Sequence, residues 1–169
     1  DAVQCGHFRT GRYQSFQRIL ENHPAPGGFL PDAVSMAKSL GGGLPIGAFW
    51  VRDRHADLLN AGSHGTTFGG TPLACAVANK IFEVIERDHL ADNARNTGEF
   101  LKAELQRLAH EFPHVLTGVH GLGFMIGIEL VKDRKTKKPA RKLRDTIELN
   151  AFAHGLLTLG CGDSTLRIS

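Results

Sequence analysis

The stretch that most constrains this sequence begins at Pro72. Leu73, Val77, Ala78, Ile81, Val84 and Ile85 recur at the intervals of one helical face. Pro72 sits where a first helical turn tolerates proline. A long, mostly apolar and well-buried helix is predicted there. A second helix follows, with Leu90, Ala94, Leu101, Leu105, Leu108 and Phe112 on one face, and Pro113 stops it. Helix 72 onward divides the chain into unlike halves. Before it, short apolar strands at 31–36 and 46–51 alternate with glycine-punctuated turns at 6–11, 23–28 and 41–43, with short helical stretches at 13–20 and 54–59. Residues 2–3 read as the end of a strand. After the helix, a turn is predicted at 118–123, a strand at 124–130, a polar loop at 132–139 and a helix at 141–154 capped by Gly155. Short strands at 156–159 and 165–168 complete a small α+β unit.

The 169 residues amount to about one average domain. Twenty Lys+Arg against 17 Asp+Glu leave a formal charge of +3. The densest basic cluster, Lys132 to Arg144, is broken by Asp133 and Pro139 and has no interleaved aromatics. It reads as a solvated loop, so nucleic acid is not an expected partner. No apolar run reaches the roughly 18 residues that cross a bilayer, so no membrane span is expected. Cys5, Cys75 and Cys161 are far apart and form no CxxC pair. They fit a reducing, cytoplasmic setting. None of the nine histidines falls in HxxxH or HExxH, so no metal site is expected. The chain opens at Asp1 and stops inside an apolar run at Ser169, and it reads as a piece of a longer protein.

Two glycine-rich segments invite a phosphate: Gly41-Gly42-Gly43, and Thr66-Thr67-Phe68-Gly69-Gly70 ahead of a helix start. Neither matches GxxxxGK[ST] or GxGxxG, and on pattern alone each is a turn. Lys38 lies in an apolar context, 34–40, beside a glycine turn. A buried amine there would be nucleophilic, as Schiff-base chemistry requires. On spacing alone it reads rather as a strand-end lysine reaching solvent.

Five segments, in order, resemble the class-III aminotransferases, a pyridoxal-phosphate-dependent family. Asp1-Ala2-Val3-Gln4-Cys5-Gly6-His7-Phe8-Arg9-Thr10-Gly11 is similar to D-E-V-Q-x-G-x-G-R-T-G. Pro31-Asp32, then Ala37-Lys38-Ser39-Leu40-Gly41-Gly42-Gly43 and Pro45-Ile46-Gly47-Ala48, resemble P-D-x-x-x-x-A-K-x-L-G-G-G-x-P-I-G-A. His64 to Ala74 resembles H-G-S-T-F-G-G-N-P-L-A. Residues 121–130 resemble R-G-x-G-L-M-x-G-I-E-L, and Leu166-Arg167 falls where the family has an L-R pair. Within the family the likeness runs to the acetylornithine aminotransferases. Ornithine, succinylornithine and 4-aminobutyrate aminotransferases share most of the motifs.

The resemblance implies an α/β fold. Residues 1–87 would be the second half of the cofactor-binding large domain of a fold-type-I transferase, with a mostly parallel sheet. Residues 88–169 would be part of a small α+β C-terminal domain. It implies transfer of an amino group between an N-acetylornithine-like donor and 2-oxoglutarate, in arginine biosynthesis, by a homodimer. Ornithine or 4-aminobutyrate transamination, or a truncated non-catalytic copy, are the alternatives. Lys38 would bond the aldehyde of pyridoxal 5'-phosphate and later shuttle a proton. Asp1 would pair with the protonated pyridine nitrogen. Val3 would pack on the ring, and Gln4 would bond near its phenolic oxygen. Thr67, with Thr66 as the competing candidate, would reach the phosphate from the other subunit. Arg167 would clamp a substrate carboxylate. The departures are Ala2 for glutamate, Phe8 for glycine and Thr71 for asparagine. The family's G-T/S-E-A phosphate segment and ring-stacking aromatic lie upstream of Asp1. The isolated piece is therefore expected to be poorly folded and inactive.

Overall fold

A computed structural model describes residues 2–23 and 28–169. Asp1 and most of the loop expected at 23–28 lie outside the described residues. The chain divides into two compact units, Asp1–Asp92 and Asn93–Ser169.

The first unit opens with turns over residues 3–10, followed by the short helix α1 (Ser15–Ile19). The expected strand end at residues 2–3 is not a strand, although the Ala2 amide donates to the Ser35 carbonyl at 3.0 Å. Strands β1 (Ala33–Met36) and β2 (Ala48–Val51) pair antiparallel, Ala33 opposite Val51 and Met36 opposite Ala48. The parallel pairing expected of this half is absent among the described residues. Parallel neighbours need a crossover of about a dozen residues or more. Here the connection is a tight 3-10 turn, Lys38–Gly41, and a short loop. A second 3-10 turn, Asp53–Leu58, follows β2.

Helix α2 (Pro72–Arg87) starts where the sequence places it. Pro72 occupies the first turn, and the Thr71 hydroxyl accepts from the Ala74 amide at 3.4 Å. Such a cap contributes about 1 kcal/mol. The helix is not well buried, however. Ala74 and Ala78 are its buried residues, and Leu73 is 68% exposed. Two small side chains fit against the 3-10 turn, while Val77, Ile81, Val84 and Ile85 along the rest of the apolar stripe are only half-buried.

The second unit holds the core. Helix α3 (Leu90–Glu111) reaches into it, with Ala94 and Gly98 buried. Strands β3 (Leu116–Leu122) and β4 (Met125–Asp133) form a hairpin around Gly123 and Phe124. Thus 118–123, expected as a turn, is mostly strand. Its glycines answer to close packing: a Cβ on Gly121 would fall 1.9 Å from the Met125 carbonyl oxygen. Short β5 (Lys138–Pro139) pairs with β4, and the sheet runs β3-β4-β7-β6 with β6 (Leu159–Cys161) and β7 (Thr165–Ile168), every pair antiparallel. Helix α4 (Arg141–Ala153) ends in a Schellman motif at Gly155, φ +84°. There the Leu156 amide donates to Ala151 and the Gly155 amide to Phe152. Ile128, Leu130, Ala140 and Leu166 form the buried cluster, with Leu105, Leu116, Ile147 and Ile168 packed on it. Among the described residues no helix is long and apolar enough to cross a membrane, and no cluster of metal-ligating side chains occurs.

Candidate active site

Lys38 begins the 3-10 turn at the end of β1 and adopts a left-handed conformation, φ +51°. The turn is closed by Leu40 N–H to Ala37 at 3.1 Å and Gly42 N–H to Ser39 at 3.3 Å. Leu40 and Gly41 take its buried side. Lys38, at the first position of the turn, is exposed. The apolar context had suggested a buried amine. The structure corrects this: Lys38 is exposed, and its amine has no hydrogen-bond or ion-pair partner among the described residues. The turn is braced by α2, since a Cβ on Gly42 would lie 2.4 Å from Ile81 Cδ1.

The segment bearing Val3 and Gln4 runs beside β1 through the Ala2–Ser35 hydrogen bond, and both residues are half-buried. It continues to His7, whose Nδ1 lies 3.3 Å from Ser39 Oγ, one residue past Lys38. Tyr13 Oη and Gln14 Nε2 both donate to Met36 Sδ, at 3.3 and 3.4 Å. These bonds gather the opening segment, the end of β1 and the lysine turn. Asp1 lies outside the described residues.

His7 and Ser39 were not singled out by the sequence. The usable signal was Phe8, a ring where the resembling motif has glycine, which marks the turn as unusual. His7 is 5% exposed, and burial holds its imidazole below the ordinary pKa of 6.5.

Thr66 and Thr67 lie in the exposed loop before α2. They differ in availability. Thr66 Oγ1 accepts from the Gly69 amide at 3.1 Å, closing a local turn, whereas the Thr67 hydroxyl is not used this way. Neither hydroxyl bonds to the lysine turn among the described residues. At the start of β1, Asp32 pairs with Arg54, and Arg52 and His55 stand 3.8 and 3.5 Å away. The hydrogen bond from Arg54 lowers the Asp32 pKa. This exposed cluster ties β1 to the turn after β2 and presents no open group for chemistry.

Arg167 belongs to the second unit. It lies on β7 between Gly127 of β4 and Leu159 of β6, and it is half-buried.

A free amine on a rigid turn, a hydroxyl-bearing loop at a helix start and a strand-held guanidinium suit an aldehyde, a phosphate and a carboxylate respectively. The chemistry of this donor set fits pyridoxal phosphate and an amino-acid substrate.

Known proteins match over the whole chain. The family model for aminotransferase class-III covers residues 1–169. The mitochondrial acetylornithine aminotransferase of Yarrowia lipolytica is 33% identical over 168 residues, which is 99% of this chain and 36% of that protein. The 5-aminovalerate aminotransferase DavT of Pseudomonas aeruginosa is 36% identical over 162 residues, 96% of this chain and 36% of that protein. Among solved structures, an ornithine aminotransferase from Toxoplasma gondii, with partial occupancy of PLP at its active site, superposes with a TM-score of 0.79. Its identity is 30%, over 99% of this chain and 36% of that one. The chain thus spans a little over a third of the length of these relatives.

Proposed function

Because the chain belongs to the class-III aminotransferases, a pyridoxal-phosphate-dependent family, we propose that it supplies the lysine turn and the carboxylate clamp of such an enzyme. The reaction proposed for the whole protein moves an amino group from an N-acetylornithine-like donor to 2-oxoglutarate, in arginine biosynthesis. The observation that carries this reading is Lys38: an exposed amine without a partner among the described residues, on a turn held by contacts from His7 and Ile81.

Bound pyridoxal phosphate supplies an aldehyde for capture and a ring that stores the electron pair released at the substrate α-carbon. The chain's own groups do the rest. Lys38 Nζ would be the nucleophile that holds the aldehyde and the base that carries the proton at the substrate α-carbon. Asp1 would keep the ring nitrogen protonated. Val3 and Gln4, beside β1, lie on the segment that would meet the ring and its phenolic oxygen. Thr67 is the phosphate ligand in preference to Thr66, whose hydroxyl is engaged in its own turn. The loop would reach the site of a second copy, so a homodimer is part of the proposal. Arg167 forks onto a substrate carboxylate, a bidentate geometry that lysine cannot reproduce.

Residues 1–87 are assigned to the second half of the large domain and 88–169 to part of the small one. The division of the compact units within the first turn of α3 supports this. A cytoplasmic setting is part of the same proposal, and the three scattered cysteines, which form no CxxC pair, support it.

The test uses the full-length protein. Borohydride reduction with pyridoxal phosphate should fix the cofactor on the peptide containing Lys38, and Lys38→Ala should lose both that label and turnover. A label on another lysine would overturn the assignment. Single-turnover rates with N-acetylornithine, ornithine, 5-aminovalerate and 4-aminobutyrate then rank the donors. A preference for an unacetylated donor would replace the substrate proposed here.

A further inference from the structure

The turn that carries Lys38 lies against a second turn of the same character. Lys38 has φ +51°, and His7 and Phe8 have φ +52° and +66°. L side chains adopt this region only at a cost, and such geometry persists where the surroundings over-determine it. The hydrogen bonds within the lysine turn are local: Leu40 to Ala37, Gly42 to Ser39, and Leu44 to Gly41 at 2.9 Å. They fix its shape and leave its orientation to other contacts. On one side Ile81 packs on Gly42. On the other, the Ser39 hydroxyl meets His7 Nδ1.

The imidazole is itself well held. Its ring stands edge-on to Tyr13 and Phe82, with centroids at 5.8 and 6.0 Å and interplanar angles of 73° and 61°. It is 5% exposed, and Nε2 has no partner among the described residues. The ring therefore offers one polar contact, and that contact falls on the residue next to Lys38.

We propose that His7 is a positioning residue for Lys38: through Ser39 it orients the left-handed turn from which the amine reaches the cofactor aldehyde. This rests on the aminotransferase reading given above. The bond runs side chain to side chain, so it can be removed from either end without touching the lysine. A hydrogen bond that holds a reacting group in line acts on capture geometry more than on global stability.

The experiment uses the full-length protein and two variants. His7→Phe keeps an aromatic ring between Tyr13 and Phe82 and removes the polar contact. Ser39→Ala removes it from the other side. The readouts are the dissociation constant for pyridoxal phosphate, the pH midpoint of the visible band of the lysine-bound cofactor, and Tm. Each variant should weaken cofactor retention roughly two- to tenfold, the loss of one hydrogen bond. Both should shift the band midpoint in the same direction, and the double variant should be no worse than the poorer single one. Unchanged retention and midpoint in both variants would overturn the proposal. So would additive losses, or losses that track Tm alone. Absence from the wild-type protein of any band that Lys38→Ala abolishes would instead defeat the aminotransferase reading itself.

Discussion

Phe8 carries a bulky ring at φ +66°, in a turn where the resembling motif has glycine. The left-handed region costs an L residue about 1–2 kcal/mol, and the ring recovers part of that against Tyr13, 5.7 Å away between centroids. Two substitutions separate these effects. Phe8→Ala loses the ring and keeps the strain, whereas Phe8→Gly loses both. Phe8→Gly should therefore be the more stable of the two by about 1 kcal/mol, the reverse of glycine's usual standing. Denaturant midpoints of the two variants in the full-length protein check this, and equal midpoints would show the turn to be unstrained. The same scale shows what the sequence could say about the site. Lys38 and the threonine loop could be singled out because their motifs are specific in residue type and order. The apolar context of Lys38 pointed to a buried amine, but Val34 and Leu40 are buried by their own packing and do not fix the side chain between them. Nor could the sequence show that Thr66 spends its hydroxyl on Gly69 while Thr67 does not, since both are threonines before the same glycines.

Periodicity located the helices well, because α2 and α3 are long and each carries an apolar stripe. It failed at residues 118–123, where glycine density reads as a turn and the chain forms β3. The reason is contact between elements, which local sequence does not encode. Helix α3 crosses the β3–β4 hairpin so closely that a Cβ on Gly98 would stand 2.4 Å from the Gly123 carbonyl oxygen and 2.5 Å from its Cα. These are backbone atoms, which cannot swing aside as the end of a side chain can. Alanine is the better helix former by about 1 kcal/mol, but overpacking against backbone costs about 1–3 kcal/mol. Gly98→Ala should therefore destabilise the protein despite its helix propensity. Thermal unfolding checks the sign: a higher Tm would show that the helix can lift off the hairpin without loss. The missing parallel sheet belongs to this scale too. Strand existence at 31–36 and 46–51 was readable from apolar runs, but strand direction depends on how the chain returns, and the 3-10 turn at Lys38 returns it antiparallel.

Across the whole molecule, stability is unevenly shared. The second unit has a sheet with Ile126 and Leu130 at 1% exposure and a cluster closed by Ala140 and Leu166. Among the described residues of the first unit, β1 and β2 stand as a two-stranded sheet with Phe49 58% and Trp50 39% exposed. A two-stranded sheet is marginal in water without further cover. The amides of β1 and β2 in the 169-residue chain should thus exchange with deuterium at least about tenfold faster than those at the centre of β4, which open only with the core. The lysine turn sits on the weaker unit, and that has a consequence for ligand binding. A ligand stabilises whatever must be folded to bind it, by an amount that grows with its concentration over Kd. In the full-length protein, pyridoxal phosphate should slow exchange in β1, β2 and the turn at Lys38–Gly41, while β3, β4 and β7 change little. Arg167 lies on β7, so a substrate dicarboxylate added afterwards should extend protection to that strand. Hydrogen exchange read by mass spectrometry resolves these segments. Uniform protection of both units by the cofactor alone would mean that they unfold as one, and the assignment of cofactor to the first unit and substrate carboxylate to the second would lose its physical basis.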